Sequence, residues 1–393
     1  MSSIRAGQPG EFPARTKSSS ADKAEPAGVT PAHGHEDDDT MIDTMQRAAG
    51  SPMSATAARP NDRHSPRDDD EFVRLTAPYR RELLVHCYRM LGSLHDAEDL
   101  VQETYVRAWR AYNRFEGRAS LRQWLYRIAT SACLTALGHR SRRVLPTGLG
   151  TPANDASGPF PTPTDTTVAW IQPLPQSLAN DPAAIVASRD SVRLAFIAAL
   201  QHLSAKQRAV LILRDVMDWH AAEVAEVLDT TTIAVNSALR RARSQMERAA
   251  PRESELTEPD DPHSRGLLQR YTTAFENADV AGLLRLLCDD VVLEMPPQPT
   301  WFDGRDSVIG FLAANVLSGR PFAMIPTIAN GQPAAAGYLR GADGVWRAHA
   351  LQVLTVSAQG IKHIVSFNDP GLFHGFGLPD VLDNVGGADR WNV

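Results

Sequence analysis

Apolar residues recur at three- and four-residue steps from about Phe72, and the pattern predicts three successive helices. The first has an apolar stripe formed by Leu83, Leu84, Cys87, Met90 and Leu91. Gly92 ends this helix, and Ser93 is placed to cap the second. Gly117 ends the second helix, and Ser120 can cap the third. Packing of the three apolar faces predicts a three-helix bundle.

A second helical pattern runs from about Ile185 to Ala249 and ends in a short helix, a turn at Asp229 and Thr230, and a second helix. The residues expected to pack inwards are Ala222, Val224, Ala225 and Leu228 before the turn, and Ile233, Val235, Leu239 and Ala242 after it. This spacing predicts a helix-turn-helix, whose second helix can enter the major groove of DNA. A helical hairpin with a solvated basic face is the alternative.

The last third of the chain changes from helical to strand-like patterns. Amphipathic helices are predicted at 263–277, 280–287 and 306–316. Alternating apolar runs follow, and the turn sequences NGQP, GADG and AQG separate them. The strand-like runs are FAMIPTI, AAAGYLR, WRAHALQVLTV and IKHIVSF. Helices followed by a curled antiparallel sheet predict an α+β domain.

Changes in composition mark the boundaries between these units. Residues 1–70 show no sustained hydrophobic period, and we expect a disordered extension there. A Pro-rich acidic linker at 144–186 has too little apolar pattern for a core and is expected to be extended. A second acidic linker occupies 251–262. The predicted domains therefore span 71–143, 187–250 and 263–380, and a tail follows at 381–393.

The net charge of −6 hides two basic blocks. Residues 71–143 carry a net charge of +6, and residues 187–250 carry a net charge of +2. Local potential governs attraction to phosphate, so the charge pattern is compatible with a nucleic-acid partner. No apolar run is long enough to span a membrane, and the N-terminus lacks the apolar segment of a secretory signal. We expect a cytoplasmic protein without a membrane partner.

The three cysteines, Cys87, Cys133 and Cys288, lie far apart in apolar segments. The sequence has no CxxC pair and no histidine at metal-ligand spacing from them. We expect buried thiols, no metal site and no cofactor. A redox or zinc role is the less favoured alternative, because cytosolic thiols stay reduced.

Three sets of side chains carry candidate chemistry. The acidic set lies on the side of the second helix opposite its apolar stripe: Asp96, Glu98, Asp99 and Glu103. The aromatic and basic set follows it: Tyr112, Arg114, Phe115, Arg118, Arg122, Trp124, Tyr126 and Arg127, followed by Arg140, Arg142 and Arg143. The third set faces outwards from the helix-turn-helix: Thr231, Thr232, Asn236, Ser237, Arg240 and Arg241.

Each set has a functional and a plain interpretation. The acids leave a patch for a basic partner, although carboxylates near a helix N-terminus are also favoured by the helix dipole. Rings and cations together suit unstacked bases and their phosphates, although Trp124 and Tyr126 can be core residues. Thr and Asn can read base edges, and Arg can read bases or bind phosphate.

The sequence resembles a known family at two motifs. DAEDLVQETYVRAWRAYNRFEG followed by LRQWLYRIATSACLTAL looks like region 2 of the extracytoplasmic-function sigma factors, within the sigma-70 family. LSAKQRAVLILRDVMDWHAAEVAEVLDTTTIAVNSALRRAR resembles their region 4, with Asp229 and Thr230 where many members have a glycine. The motifs occur in the expected order and cover 71–143 and about 187–250.

This resemblance implies partners and roles. The implied partners are core RNA polymerase, through its β′ clamp helices and β flap, and promoter DNA. The residues implied for the β′ clamp helices are Asp96, Glu98, Asp99, Gln102 and Glu103. Those implied for melting and reading the minus-ten element are Arg114, Phe115, Arg118, Ser120, Arg122, Trp124, Tyr126 and Arg127. The helix 232–243, including Arg243, is implied to read the minus-thirty-five element, and the acidic linker is implied to thread through the RNA path.

The C-terminal third resembles a SnoaL-like domain of the NTF2-like superfamily, which folds as a cone with an apolar pocket. The residues that could line such a pocket are Trp301, Phe302, Asp303, Arg305, His349 and His363. A small-molecule ligand is therefore an open alternative. The acid/base pair of the family's enzymes is not convincingly present, so we expect no enzyme, with an isomerase or hydrolase as the alternative.

The combination of domains resembles sigma factors that carry this fused domain, notably the sigma factor G group, and implies control in cis. The predicted fold is multidomain. Two all-α domains, a three-helix bundle and a helix-turn-helix, precede an α+β cone. A plain helix-turn-helix repressor is a further alternative, but it leaves the acidic and aromatic sets unexplained.

Overall fold

The computed structural model describes residues 66–382 except 118, 140, 157, 159–166, 180–188, 250–260 and 320. The extension predicted at residues 1–65 and most of the predicted tail, 383–393, lie outside the described residues, as does most of the acidic linker 251–262. Within the described part of the chain, no helix has both the length and the apolar character needed to cross a membrane.

The N-terminal helical domain contains the three predicted helices and one more. Helix α1, Pro66–Thr76, precedes a short 3-10 turn, so the prediction of disorder is wrong for residues 66–70. The three predicted helices are α2, Arg80–Leu91; α3, Leu94–Ala111; and α4, Leu121–Gly138. The added helix packs because Phe72 on it is buried against the rings of Tyr105 and Tyr112.

Local sequence signals fix the ends of these helices. Gly92 adopts a left-handed conformation with φ of 71° and ends α2. The Ser93 hydroxyl accepts a hydrogen bond from the Asp96 amide at 3.2 Å and caps α3. Ser120 and Gln123 form a reciprocal capping box at the start of α4. The predicted caps are confirmed.

The second helical domain contains a helix-turn-helix. Its helices are α5, Leu194–Leu200; α6, Ala205–Leu211, continued by a π-helical turn through Val216; α7, Ala221–Val227; and α8, Thr232–Ala249. Asp229, in the turn between α7 and α8, has a positive φ of 49°. Aspartate tolerates this left-handed conformation better than most residues, and this explains how the turn closes without a glycine.

The C-terminal domain combines helices with a curled sheet. The helices are α9, Pro262–Glu276; α10, Val280–Leu284; and α11, Arg305–Phe311. The strands are β1, Leu287–Glu294; β2, Trp301–Asp303; β3, Phe322–Ala329; β4, Gln332–Arg340; β5, Trp346–Ser357; β6, Gly360–Phe367; and β7, Val381–Leu382. The four strand-like runs of the sequence are thus β3 to β6, whereas the predicted helix 280–287 ends earlier because Leu287 begins β1.

The sheet has the strand order β2-β1-β6-β5-β4-β3, and β7 pairs with β5. Strands β1 and β6 are parallel, and the other neighbours are antiparallel. The sheet is therefore mixed, because β6 returns to lie beside β1 instead of continuing a meander.

Both faces of the sheet are buried. Leu293, Leu354 and Ile364 belong to a core that also contains Tyr271 and Phe275 of α9. Side chains of the opposite face belong to a different core, which they share with residues of both helical domains. These opposite-face residues are Ala334, Ala336, Tyr338, Leu351, Val353, Val365 and Phe367. The three domains therefore share one continuous apolar core.

The first linker packs between the domains, and the prediction that it lacks core residues is wrong for its described parts. Leu145, Ile171 and Leu174 are buried in the shared core. Val144 forms a parallel bridge with Trp170, and Pro175 forms an antiparallel bridge with Ala329 of β3. These apolar residues show no periodicity, because they fill gaps between other elements instead of forming a core of their own.

Asn330 joins all of these parts at one point. It lies in the β3–β4 turn with a φ of 55° and is fully buried. Its amide nitrogen Nδ2 donates to the Tyr88 hydroxyl at 2.8 Å and to the Val192 carbonyl at 2.6 Å. Its side-chain oxygen Oδ1 accepts from the Leu174 backbone amide at 2.7 Å, and the backbone amide of Asn330 donates to the Leu174 carbonyl at 2.8 Å. One side chain thus links the bundle, the linker, the second helical domain and the sheet.

We expect Asn330→Gly to lower the free energy of unfolding by about 2 to 4 kcal/mol. The substitution preserves the positive φ but leaves the buried Leu174 amide and Val192 carbonyl without these partners. Urea unfolding followed by circular dichroism measures the change. The matched control is Asn277→Ala, because Asn277 is exposed and its side chain donates to the Thr273 carbonyl of its own helix. A loss below about 0.5 kcal/mol for Asn330→Gly would show that these bonds do not stabilise the assembly.

Candidate functional site

The acidic surface, which we define as Glu98, Asp99, Gln102 and Glu103, runs along the exposed side of α3. Glu103 is within 2.5 Å of Arg107 one turn later, and Asp99 is 3.9 Å from His95. Both contacts lie on the surface and leave the carboxylates accessible to a partner. The structure therefore brings together four of the five residues predicted to bind polymerase.

Asp96 differs from the other acids because it is buried. Its carboxylate forms a 2.6 Å ion pair with Arg143, whose guanidinium also donates to the carbonyl of Trp170 at 2.6 Å. Asp96 thus fastens α3 to the linker. Asp96 is therefore not part of the exposed acidic surface in this arrangement. The sequence pattern could not predict this, because it shows which side of a helix a residue occupies but not what covers that side.

Two apolar residues that sequence reasoning did not assign to the acidic surface lie exposed beside it. Val106 is 46% exposed and Trp109 is 37% exposed. They follow Gln102 and Glu103 at helical spacing on α3. The sequence contained this information, because the helical period places both apolar side chains on the same side of α3 as the polar residues of the acidic surface.

Part of the aromatic and basic set remains accessible. The rings of Phe115 and Trp124 lie 4.8 Å apart, and both side chains are half-buried. Arg114 and Arg127 are exposed around them. Arg118 lies outside the described residues. Ser120 caps α4, so its hydroxyl accepts a hydrogen bond from the backbone of the helix.

Tyr126 and Arg122 lie instead between the two helical domains. Tyr126 is fully buried, and its ring centroid is 5.2 Å from that of Trp219. Burial raises the pKa of the Tyr126 hydroxyl well above its ordinary value. The Arg122 guanidinium binds the buried carboxylate of Glu82 at 2.8 to 3.0 Å and lies 5.8 Å from the Trp219 ring. The prediction that both face nucleic acid is wrong for this arrangement.

Polar contacts connect the same two domains. Gln123 donates to the Glu223 carboxylate of α7 at 2.5 Å. Arg89 donates to the Ser191 hydroxyl at 2.7 Å, and Arg208 donates to the Met90 carbonyl and to Gln201. Burial lowers the pKa values of Arg89 and Arg208 to about 10, so both remain charged at neutral pH. The bundle and the helix-turn-helix are therefore held face to face.

The outward side of α8 carries most of the third set. Thr232, Asn236 and Arg240 are exposed along it. The Thr231 hydroxyl accepts from the Ala234 amide at 3.2 Å and caps the helix. Arg241 donates to the Ser237 hydroxyl at 2.8 Å, and Arg243 forms a bidentate pair with Asp215 at 2.7 and 2.8 Å. Arg243 is thus engaged within the domain.

Ile233 is the one error in the predicted packing side of α8. Val235, Leu239 and Ala242 are buried, whereas Ile233 is 81% exposed. Two residues correspond to about 200° around an α-helix, so Ile233 and Val235 cannot occupy the same side. The helical period of the sequence contained this information.

The six candidates for a C-terminal pocket are not brought together. Phe302 is buried and stacks on Phe311 with ring centroids 4.3 Å apart. Trp301 faces the other way, and its indole donates to the Gly150 carbonyl at 3.0 Å. The remaining candidates are dispersed: Asp303 is exposed, Arg305 pairs with Asp289 at 2.6 Å, and His349 lies 6.0 Å from the Phe322 ring. Alternate residues of a strand point to opposite faces, so Phe302 is separated from Trp301 and Asp303 on the same strand.

His363 instead takes part in a buried contact with the linker. Its Nε2 is 2.7 Å from Oε1 of Glu294, which is fully buried. The other oxygen, Oε2, accepts from the Thr147 amide at 2.8 Å. Sequence reasoning missed Glu294, because a carboxylate in a strand gives no sign that its partner is a distant backbone amide.

The three cysteines are free and buried, which confirms their predicted role as core thiols. Among the described residues, no cluster of His, Cys, Asp or Glu has the arrangement of a metal site.

Three family models match the chain in the order of its folded domains. Sigma-70 region 2 matches residues 75–143, Sigma-70 region 4 matches residues 193–246, and the SnoaL-like domain matches residues 268–364.

The chain is also similar to known sigma factors over most of its length. ECF RNA polymerase sigma factor SigG of Mycobacterium tuberculosis is 51% identical over 317 residues, which cover 79% of this chain and 85% of that protein. ECF RNA polymerase sigma factor SigJ of the same organism is 29% identical over 297 residues, which cover 72% and 86% of the two chains. The crystal structure of SigJ superposes with a TM-score of 0.50 and 23% identity and covers 78% of this chain and 99% of SigJ, so the two proteins share a fold.

Because one relative is about half identical over most of its length and the three models match in order, this chain belongs to the extracytoplasmic-function sigma factors and carries a C-terminal SnoaL-like domain.

Proposed function

We propose that this chain binds core RNA polymerase, directs it to promoters, and is restrained by its own C-terminal domain. The observation that carries the proposal is the coexistence of an exposed acidic surface and an exposed recognition helix on domains that the C-terminal sheet packs together. We infer a cytoplasmic location, because core polymerase and chromosomal promoters are found there.

Two surfaces suit the polymerase. The acidic surface on α3 presents carboxylates to a basic partner, and we assign it to the β′ clamp helices. A cleft of about 420 Å³ beside α8 is lined by Val210, Leu228 and Val235, and we assign it to the β flap. The two surfaces lie on different domains, so polymerase can engage both only if their spacing suits it.

Promoter reading is divided between the helical domains in this proposal. Phe115 and Trp124, with Arg114 and Arg127 around them, offer a stacking surface for the unpaired bases of the minus-ten element. Thr232, Asn236 and Arg240 offer hydrogen-bonding groups for the major groove of the minus-thirty-five element. Arg122 and Tyr126 join the first group only after the domains separate.

The closed arrangement conflicts with simultaneous reading of both elements. Elements centred 25 base pairs apart lie about 85 Å apart on straight B-DNA. Domains that touch through Tyr126 and Trp219 cannot span that distance. We therefore infer that the domains must separate before both elements are bound.

The C-terminal domain and the linker oppose this separation. Asn330 bonds to both helical domains, and the Gln332 side chain accepts from the Leu194 amide at 2.9 Å. The linker is fastened through Gln172, which accepts from the Ser93 hydroxyl at 2.8 Å. A linker held in this way cannot enter the RNA path of the polymerase, so its release is part of the same opening.

We propose a regulatory and not a catalytic role for the C-terminal domain. Among its candidate polar residues, Asp303 is exposed, Arg305 pairs with Asp289, and His363 pairs with Glu294. A cleft of about 550 Å³ lies between the linker at Trp170 and the segment from Phe367 to Leu372. A small molecule that binds this cleft would act on the linker and would not need to undergo a reaction.

Transcription with purified core polymerase tests the function and its control together. We expect promoter-dependent transcripts with the full-length protein, and several-fold more with Asn330→Gly, because the variant weakens the closed arrangement. The assay is run at limiting sigma factor and at a temperature where circular dichroism shows both proteins folded, with Asn277→Ala as the control. Absence of promoter-dependent transcripts from a genomic template, with full-length or C-terminally shortened protein, would refute the function. Equal output from the folded variant would refute the restraint.

Charge reversal of the acidic surface should weaken polymerase binding. We expect Asp99→Lys to lower affinity for core polymerase roughly tenfold at low salt, with a smaller loss at high salt, because like charges then meet in the interface. Fluorescence titration of labelled protein with core polymerase measures the affinity. Asp303→Lys is the matched control, because Asp303 is exposed on the C-terminal domain. Equal affinities for the two variants would contradict the assignment.

Loss of the stacking ring should impair promoter melting. We expect Trp124→Ala to reduce open complexes roughly tenfold or more, because a stacked base contributes about 1 to 3 kcal/mol. Permanganate reactivity of thymines on a transcribed promoter measures melting. The control is Leu284→Ala, which removes an exposed apolar side chain of the C-terminal domain and should melt the promoter normally. Normal melting by Trp124→Ala would instead support the interpretation of Trp124 as a core residue.

A further inference from the structure

Ile233 is an exposed apolar residue in a helix whose other large apolar side chains are packed. It is 81% exposed, and no other large hydrophobic side chain in the described part of the chain is more exposed. On the same helix, Val235, Leu239 and Met246 are buried. Packing within the domain therefore does not account for an isoleucine at this position.

Ile233 lies on the same side of α8 as residues proposed to read the minus-thirty-five element. Residues three, four and seven positions apart share one side of a helix, so Ile233 lies above Asn236, Ser237 and Arg240. It also occupies the first turn of the helix, which begins at Thr232. In a helix-turn-helix, the N-terminal residues of the second helix face base edges in the major groove.

We propose that Ile233 selects thymine at one position of the minus-thirty-five element by contact with the 5-methyl group of the base. This inference rests on the proposed reading of that element by α8. The 5-methyl group is the apolar feature of base edges in the major groove. An isoleucine flanked by Thr232 and Asn236 complements such a group, and Arg240 on the same side provides attraction to the surrounding phosphates.

The polymerase is a less fitting partner for this side chain. The cleft assigned to the β flap is lined by Val210, Leu228 and Val235. Ile233 lies about 200° around the helix from Val235, on the side that carries Arg240. A contact with the flap would also act equally on every promoter sequence, and this distinguishes the two partners experimentally.

The expected effect is modest and specific to sequence. Removing one methyl group from an apolar contact corresponds to about a fourfold loss in affinity. The test uses the full-length protein with purified core polymerase and a promoter pool randomised in the minus-thirty-five region. Transcribed sequences are selected and compared for the wild type, Ile233→Ala and the control Leu284→Ala, which alters an exposed apolar residue of the C-terminal domain.

A second arm removes the methyl group from the DNA. The preferred thymine of the selected element is replaced by deoxyuridine, which changes only the 5-methyl group. We expect the wild type and Leu284→Ala to prefer thymine at one position and to lose about fourfold in complex formation on the deoxyuridine template. Ile233→Ala should lose both effects while its preferences at other positions are unchanged.

Three results would overturn the inference about Ile233. They are an enriched element without thymine, the same thymine preference in Ile233→Ala, and a uniform loss by Ile233→Ala on every sequence, which would indicate a polymerase contact. If the wild type enriches no sequence at all, promoter reading itself fails, and the inference fails with it. Circular dichroism checks that Ile233→Ala remains helical, as expected for an exposed position where alanine favours the helix.

Discussion

The arrangement of the domains depends on the complete hydrogen bonding of one buried amide. Asn330 lies where the sheet, the linker and both helical domains meet, and each of its polar atoms has a partner. A buried amide with a missing partner destabilises a structure, so this site favours only the geometry in which all four parts are in place. The apolar face of the sheet belongs to the shared core, but apolar packing has little directional preference. The hydrogen bonds of Asn330 are directional, and they therefore determine how the domains are oriented.

The sequence was sufficient for elements whose signals are local. The caps at Ser93 and Ser120, the stop at Gly92 and the alternation in β3 to β6 depend on neighbouring residues, and each was predicted correctly. The packing of the linker could not be predicted in the same way, because Ile171 and Leu174 are buried by residues distant in sequence. Asn330 itself resembles an ordinary turn residue in NGQP. Its role depends on what approaches the turn, which no local pattern records.

The same limit explains the outcome for the candidate site. Helical period correctly placed Glu98, Asp99 and Glu103 on an exposed side, and it also placed Asp96 there, but it could not show that Arg143 covers Asp96. Tyr126 and Arg122 have the composition of a nucleic-acid surface, yet their surroundings come from the second helical domain. Ile233 is a different case, because the helical period already excluded it from the packed side. The error for Ile233 therefore came from misapplying the helical period. The errors for Asp96, Tyr126 and Arg122 came from tertiary contacts that the sequence does not reveal.

The sheet face that contacts the helical domains has a consequence for the lifetime of an opened molecule. Leu351, Val353 and Phe367 belong to the core shared with the helical domains, so separation of the domains would expose apolar surface to water, and an exposed apolar patch favours closure or association. A partner that binds only the open form shifts the equilibrium towards it by mass action. Opening of the molecule and binding of polymerase should therefore be coupled. Molecules that open without binding polymerase would return to the closed form, because closure buries the apolar face of the sheet again.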